Sequence, residues 1–263
     1  MKSLREGLAK RSPKTNFGFN SQDLITQETI SSALKNDLIF GFEFKNGSDP
    51  KRDAKSNTNI LSANGSPALV TGGILDNLAL SGMNSSNNLF YPNGTDEKGD
   101  FRRTHTIAYL YKSPASFTNF TADFIIGKDE YMARRECNQV VLKVLNPERL
   151  FLYYEYLNTS QTLNFSNTLN LSTWYLFISK YNADNLTVTG KVNNVLTSTE
   201  TFFGAPPSAL SIPFFIGARR NQDLAFDGFT FQGLLQYIYR WNRLTTADED
   251  AYLWNNGNFR FLY

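Results

Sequence analysis

The chain contains a single histidine, His105, and a single cysteine, Cys137, and these two counts bound its chemistry. One imidazole falls short of the donor sets that hydrolytic zinc centres use. No serine or cysteine nucleophile adjoins His105, which stands between Thr104 and Thr106 and reads as a polar strand residue. A lone thiol excludes an internal disulfide and a cysteine-based zinc cage. Retaining glycosidases on sandwich sheets place carboxylates at alternating positions of one strand, so that they project from one face into a cleft. No segment here has that E-x-D-x-E arrangement. The densest acidic run, Asp248-Glu249-Asp250, falls in a helical pattern, where a solvated first turn accounts for it. There is neither a phosphate-cradling G-x-x-x-x-G-K-S/T nor a G-x-G-x-x-G after a strand. The residues therefore predict a protein that binds or builds and is not an enzyme. Cleavage of glycans would need carboxylates that converge from separate strands.

Such residues must be carried by sheets. The aromatic content is 14%, with 22 Phe and 13 Tyr, types that pack well on pleated surfaces. Segments 38–44, 74–80, 87–91, 104–112, 122–127, 139–145 and 149–157 read as strands, as do 173–181, 185–192, 195–203, 212–218 and 229–241. Gly, Asn, Asp and Pro punctuate them, Asn46-Gly47 being one turn signal. Two segments read as helices. Leu24, Ile25, Thr29, Ile30 and Leu34 share a stripe that Ser21 or Asp23 would cap. In 245–255, Thr246 and Glu249 form a capping-box pattern, with Gly257 at the expected left-handed end.

Charge is uneven. The chain nets only +2, so as a whole it exerts no strong pull on nucleic acid, and no stretch is apolar enough for membrane insertion. Lys2, Arg5, Lys10, Arg11 and Lys14 face only Glu6 in the first fourteen residues. That basic arm suits docking on an acidic partner surface, and equally suits a solvated tail. The opening residues lack the apolar region of a secretory signal peptide. Residues 1–35 therefore read as an arm or anchoring segment and 36–263 as one sandwich domain.

The most specific run lies near the end: Phe231-x-Gly233, a strand to Trp241, then Asn242-Arg243-Leu244-Thr245 and Leu253-Trp254-Asn255-Asn256-Gly257. Thr173-Trp174-Tyr175-Leu176-Phe177 with Tyr181, Leu186 and Asn193-Asn194, and the opening strand Phe40-Gly41-Phe42-Glu43-Phe44 with the loop from Asp53 to Asn59, occur in matching order. This ordered set resembles the laminin G-like domains of the concanavalin A-like lectin/glucanase superfamily. The resemblance implies an all-β, antiparallel jelly-roll β-sandwich with one short C-terminal helix, here preceded by an N-terminal extension. Where relatives often carry an acidic pair in the final strand, this chain has Gln236-Tyr237, and the loop after Asp53 lacks the usual glycine.

That resemblance implies glycan binding. Sugars need an aromatic platform with amides and charged groups for their hydroxyls. Tyr154 and Tyr156, on one face of a strand, and the loop residues Arg219, Arg220 and Asn221 supply these types. The competing reading makes the tyrosines edges of the core and the loop a solvated surface. Asp53 and Asn57 are the remaining candidates for a calcium ion, weakened by the missing carboxylates, and no other cofactor is expected. Sandwiches of this family occur on phage heads and tails. The sequence thus predicts a virion structural protein, decorating or adhesive. It would be anchored to other virion proteins through its arm, assembled as a homo-oligomer or within a larger particle, and in contact with host glycan. The alternatives are a free lectin-like module of a cell, cytoplasmic or released, and a glycan-cleaving enzyme.

Overall fold

Alternation with a period of two governs the chain from Leu38 onward, and it is broken at two places that decide the topology. The structure, a computed structural model, describes residues 21–84, 86–116, 122–130, 134–144, 149–156, 159–163, 169–201, 211–218 and 231–263; at 21–25, 122, 129–163 and 197 it describes the backbone alone. Helix α1 (Ser21–Asp37) runs directly into β1 (Leu38–Glu43). Four short strands follow: β2 (Arg52–Asp53), β3 (Thr58–Asn59), β4 (Ser62–Asn64) and β5 (Ala68–Thr71). Then come β6 (Leu78–Ser81), β7 (Asn88–Tyr91), β8 (His105–Lys112), β9 (Ala122–Glu130), β10 (Arg134–Val144) and β11 (Arg149–Tyr156). The chain continues through β12 (Thr159–Leu163), β13 (Trp174–Asn182), β14 (Thr187–Val192), β15 (Val195–Thr201), β16 (Phe214–Ile216), β17 (Leu234–Trp241) and helix α2 (Ala247–Trp254).

Among the described residues the strands form two large sheets. The first, of eight strands, has the order β15-β14-β13-β8-β17-β6-β5, with β1 also paired to β17. The second, of seven, has the order β12-β11-β10-β9-β16-β7-β4, and β2 and β3 make a separate hairpin. Pairing is antiparallel, with β8 held between β13 and β17 along its whole length. His105, Ile107, Tyr109 and Tyr111 of β8 point between the sheets, while Ala108 and Leu110 point to the opposite face. Both faces are buried. The outer face is covered by Leu34 of α1, Leu253 of α2 and Leu262 of the terminal segment, and the Trp241 indole donates to the Leu34 carbonyl at 2.8 Å. This double burial explains why β1, β8, β13 and β17 read as nearly unbroken apolar runs.

The F-x-G motif has a steric cause. A Cβ on Gly233 would lie 2.3 Å from the Tyr111 ring, so only glycine lets β17 begin there. With that space open, the Gly233 and Gln232 N–H groups reach Asp123 of β9 at 2.8 and 2.7 Å, and the Tyr111 hydroxyl donates to it at 2.6 Å. One buried carboxylate thereby ties the second sheet to two strands of the first.

Helix α2 begins with the predicted capping box, Thr246 with Glu249, but of its acidic first turn only Asp248 is solvated. Glu249 and Asp250 are buried. Glu249 takes both guanidinium nitrogens of Arg243, at 2.7 and 2.6 Å, and Asp250 takes Lys180 and Lys191 from β13 and β14 at 2.7 and 2.6 Å. The left-handed end also comes earlier than Gly257, at Asn255 (φ 46°). His105 is a strand residue, as expected, and is fully buried, with Nδ1 2.8 Å from the Arg103 carbonyl oxygen.

Register shifts occur in the β9–β10 and β14–β15 pairs, and the two breaks that decide the topology lie along the β1–β17 pair. One is a shift in β1 between Leu38 and Phe40. The other is at Gln236, where the step from Leu235 to Tyr237 on β17 opposes a single step from Tyr111 to Leu110 on β8. Leu235 faces the space between the sheets, and beyond the bulge so does Ile238, while Tyr237, Tyr239 and Trp241 face outward. The bulge also marks a fork: Leu235 pairs with β6, and Tyr237 to Trp241 pair with β1. The buried Gln236 side chain fills the fork. Its amide nitrogen donates to the Phe44 and Leu78 carbonyls, and its oxygen accepts from Ile74 N at 2.8 Å.

Removing that amide leaves two carbonyls and one N–H buried without their partner, so Gln236→Ala should lower the unfolding free energy by about 3 kcal/mol. Urea denaturation at neutral pH measures this, and an unchanged midpoint would show that the fork is held by something else. A second prediction concerns pH. Burial, with Arg240 as the second cause, pushes His105 down to about 3. The unfolded chain therefore takes up this proton first, and stability is lost as the pH falls below 6.5. Burial lifts Asp123 to about 6 against three hydrogen bonds that favour its ionised form. Here the folded state takes the proton first, so the contribution is present at acid pH and lost as the pH rises through 6. Between pH 7.5 and 4.5, His105→Gln should gain about 2–3 kcal/mol on the wild type, and Asp123→Asn should fall about 2 kcal/mol behind it. Urea unfolding at both pH values checks the pair; stability differences that do not change with pH would contradict both assignments.

Candidate functional site

Six carboxylates are buried among the described residues, and all are occupied by donors from the chain itself. Those of Asp123, Glu249 and Asp250 are given above, Asp250 Oδ1 also accepting from the Thr245 hydroxyl at 2.7 Å. Asp100 takes Nε and Nη2 of Arg102, each at 2.9 Å, and this pairing holds its carboxyl below the usual range despite burial. Glu43 accepts from the Tyr239 hydroxyl and from the N–H groups of Leu262 and Tyr263, both at 3.0 Å, and pairs with Lys45 at 2.7 Å. Asp53 accepts from Gly41 N at 2.9 Å, Lys55 N at 3.2 Å, Ser56 N at 3.3 Å and Ser56 Oγ at 2.8 Å. Such carboxylates fasten loops and helix ends; a general acid or base needs an oxygen turned to substrate.

The last two frame an open cleft of about 220 Å³, lined in part by Lys45, Ser48, Arg52, Asn57 and Tyr263. One wall is the turn after β1. Gly47 adopts φ 75°, and the Ser48 hydroxyl closes the turn by accepting from Lys45 N at 2.9 Å and donating to Lys45 O at 2.6 Å. The facing wall is the β2–β3 hairpin, which the Asp53 carboxylate holds rigidly against β1. This hairpin presents Arg52 and Asn57, both exposed, with the Arg52 guanidinium donating to the Asn57 amide oxygen at 3.4 Å. Asn57 sits at φ 54°, a left-handed position that asparagine tolerates better than most residues. Tyr263 completes the cleft with its ring 40% exposed. The Lys35 ammonium lies 5.4 Å from that ring, and Lys45 donates to the Tyr263 carbonyl at 2.5 Å. Burial and the charges of Asp53 and Glu43 raise the Tyr263 phenol, which keeps its proton as a donor at neutral pH. A guanidinium, an amide, a hydroxyl and a half-exposed ring suit a polar ligand with one apolar face.

Of the residues singled out in sequence as site candidates, Asn57 lines this cleft, and Asp53 lies buried beneath the hairpin that forms one wall. The set does not suit calcium, which takes six to eight oxygen ligands, because its one nearby free-standing candidate, Asp53, is already filled by four donors. Among the described residues no group of three or more His, Cys, Asp or Glu is placed to hold a metal ion. Tyr154 and Tyr156 lie on β11, across from Gln161 and Thr159 of the edge strand β12, far along the second sheet; their side chains lie outside the described residues. Arg219, Arg220 and Asn221 also lie outside them, as do Lys2, Arg5, Lys10, Arg11 and Lys14. Sequence reasoning missed Lys45, Ser48, Arg52 and Tyr263. The first three flank the Asn46-Gly47 turn and Asp53, which were legible as turn signals. Tyr263 meets Glu43 across a separation of 220 residues, which no local pattern reports.

No family profile matches the sequence, and no curated protein matches it. Solved structures do resemble it in three dimensions. Domain 4 of AbnA, an extracellular GH43 arabinanase from Geobacillus stearothermophilus solved with arabinotriose, superposes with TM-score 0.57 at 16% identity, over 81% of this chain and 96% of that one. The ligand-binding domain of botulinum neurotoxin serotype D, solved with N-acetylneuraminic acid, gives 0.60 at 10% identity over 86% of this chain and 52% of that one. The binding domain of Paraclostridial Mosquitocidal Protein 1 gives 0.59 at 13% identity, over 85% and 53%. The chain thus spans about half the length of the toxin domains and nearly all of the arabinanase domain. At these identities the likeness shows the fold: the chain is an all-β jelly-roll sandwich.

Proposed function

We propose that this chain is a non-enzymatic carbohydrate-binding module, carried as a structural component of a phage-type virion. The observation that carries the binding reading is the contrast within the rim: every described buried carboxylate is taken up by the fold, while Arg52, Asn57 and the Tyr263 ring stand open around a cleft. The arabinotriose of the arabinanase domain, nearly all of which this chain matches, supports the same reading; the neurotoxin domain solved with N-acetylneuraminic acid is matched over about half its length. The virion role rests on the basic residues Lys2, Arg5, Lys10, Arg11 and Lys14, which would dock on acidic surfaces of other virion proteins and gather several copies of the sandwich. A free lectin-like module is favoured by one feature, the packing of α1 on the first sheet through Leu34, which makes that part of the N-terminal segment a piece of the sandwich.

The test is a glycan array with the full chain, run with calcium and again with a chelator. Binding to a defined glycan class should be equal in the two conditions, and the bound oligosaccharide should be recovered uncut after prolonged incubation. A silent array in both conditions would rule out carbohydrate binding, and release of new reducing ends would make the protein a glycosidase.

A further inference from the structure

We infer that the cleft between the β1 turn and the β2–β3 hairpin is the sugar site, and that it takes a terminal sugar bearing a carboxylate. This rests on the carbohydrate-binding reading and goes beyond it in naming the place and the charge of the ligand. Of the two cations that line the cleft, Lys45 and Arg52, only Arg52 makes no ion pair within 4 Å among the described residues, although Asp49 lies near enough to interact with it electrostatically. Lys45 is paired with Glu43 at 2.7 Å, and Asp49 is engaged by the Asn59 amide at 2.9 Å and by Lys51 at 3.8 Å. Asp53 lies beneath the hairpin with its oxygens turned to N–H and O–H donors. Arg52 is exposed, and its one hydrogen bond is the long contact to Asn57. Its fork of donors is thus available to a planar anion, which guanidinium recognises through two parallel hydrogen bonds.

The rest of the cleft specifies the body of the ligand. The Tyr263 ring offers a flat apolar surface for the C–H face of a pyranose, and its phenol, the Asn57 amide and the Ser48 hydroxyl can meet ring hydroxyls. A volume of about 220 Å³ is smaller than the pockets that enclose drug-sized molecules, which fits one terminal sugar and not a long chain. Both walls are tied to the fold by hydrogen bonds. Asp53 fixes the hairpin through four hydrogen bonds, and Glu43 fixes the terminal segment through Leu262 and Tyr263, so little conformational entropy remains to be lost on binding.

The experiment compares array glycans that differ only in a carboxylate, sialyllactose against lactose and glucuronate-terminated against glucose-terminated chains. The full chain should bind the acidic member at least tenfold more tightly, and the preference should shrink as sodium chloride is raised, because Arg52 is exposed to screening. Arg52→Ala should abolish the preference with an unchanged thermal midpoint, Arg52→Lys should retain part of it, and Tyr263→Ala should weaken binding at least tenfold. Tyr154→Ala and Tyr156→Ala should bind as the wild type does. Equal binding of acidic and neutral members, or loss on Tyr154→Ala with Arg52→Ala unaffected, overturns this site while leaving carbohydrate binding intact. A silent array removes the carbohydrate reading, and this inference with it.

Discussion

A single glutamine side chain sits where three strands must be reconciled. β17 is the middle of the first sheet, and its far edge has to accept two partners in succession, β6 and then β1. Antiparallel ladders do not permit such a change without leaving backbone groups unpaired at the junction. Gln236 meets the requirement because an amide both donates and accepts, and all of its groups find backbone partners there. A carboxylate at this position would oppose two carbonyl oxygens with no donor. The glutamine at this position therefore has a local cause. Its close packing extends to Gly73, where a Cβ would come within 2.5 Å of the Gln236 amide oxygen.

The same logic runs through the buried acids. Desolvation makes an ionised carboxylate costly unless several donors surround it, and four of the six described buried acids join segments that are remote in sequence. Asp123 connects the two sheets, Asp250 pins α2 to β13 and β14, Glu43 holds the last residues of the chain, and Asp53 holds the β2–β3 hairpin to β1. Arg240 is the cationic counterpart. Fully buried, it donates to the carbonyls of Glu97, Lys98 and Asp100 and lies 4.3 Å from the Phe101 ring, which fixes a loop that has no strand of its own. Polar groups thus set the geometry, and the aromatic layer between the sheets supplies the burial.

How far this was legible in sequence follows from the range of each interaction. The strands β8, β13 and β17 announce themselves because both of their faces are apolar, and the start of α2 does so because a capping box lies within four residues. Strands of two to four residues, such as β2 to β5, leave no periodicity to detect. Of the acids of α2, Asp250 is buried and not solvated because its cations come from positions 59 and 70 residues away, which no local pattern reports. The burial of His105 was not legible because its neighbours in sequence are threonines, whereas its neighbours in space are the Phe101 and Tyr181 rings. At the cleft the loop from Asp53 to Asn57 stood out as a ligand-bearing type. Its true partners, Glu43 through β1 and Tyr263 through the terminal segment, depend on the long-range pairing of β1 with β17.

The distribution of cover over the sandwich limits where any ligand can be met. α1, α2 and the segment 259–263 lie over the outer face of the first sheet, so the aromatic stack of Tyr237, Tyr239 and Trp241 is sealed and cannot serve as a sugar platform. The space between the sheets is filled by side chains from both. What remains is the outer face of the second sheet and the loops at the rim. Rim loops are ordinarily the mobile part of a sandwich. Here the β2–β3 hairpin and the terminal segment are each fastened by a buried acid, so that the walls beside the exposed Arg52 are held by the fold. That fastening is what a weakly buried, single-sugar contact needs, because such a contact has little apolar area with which to offset the entropy of ordering its own walls.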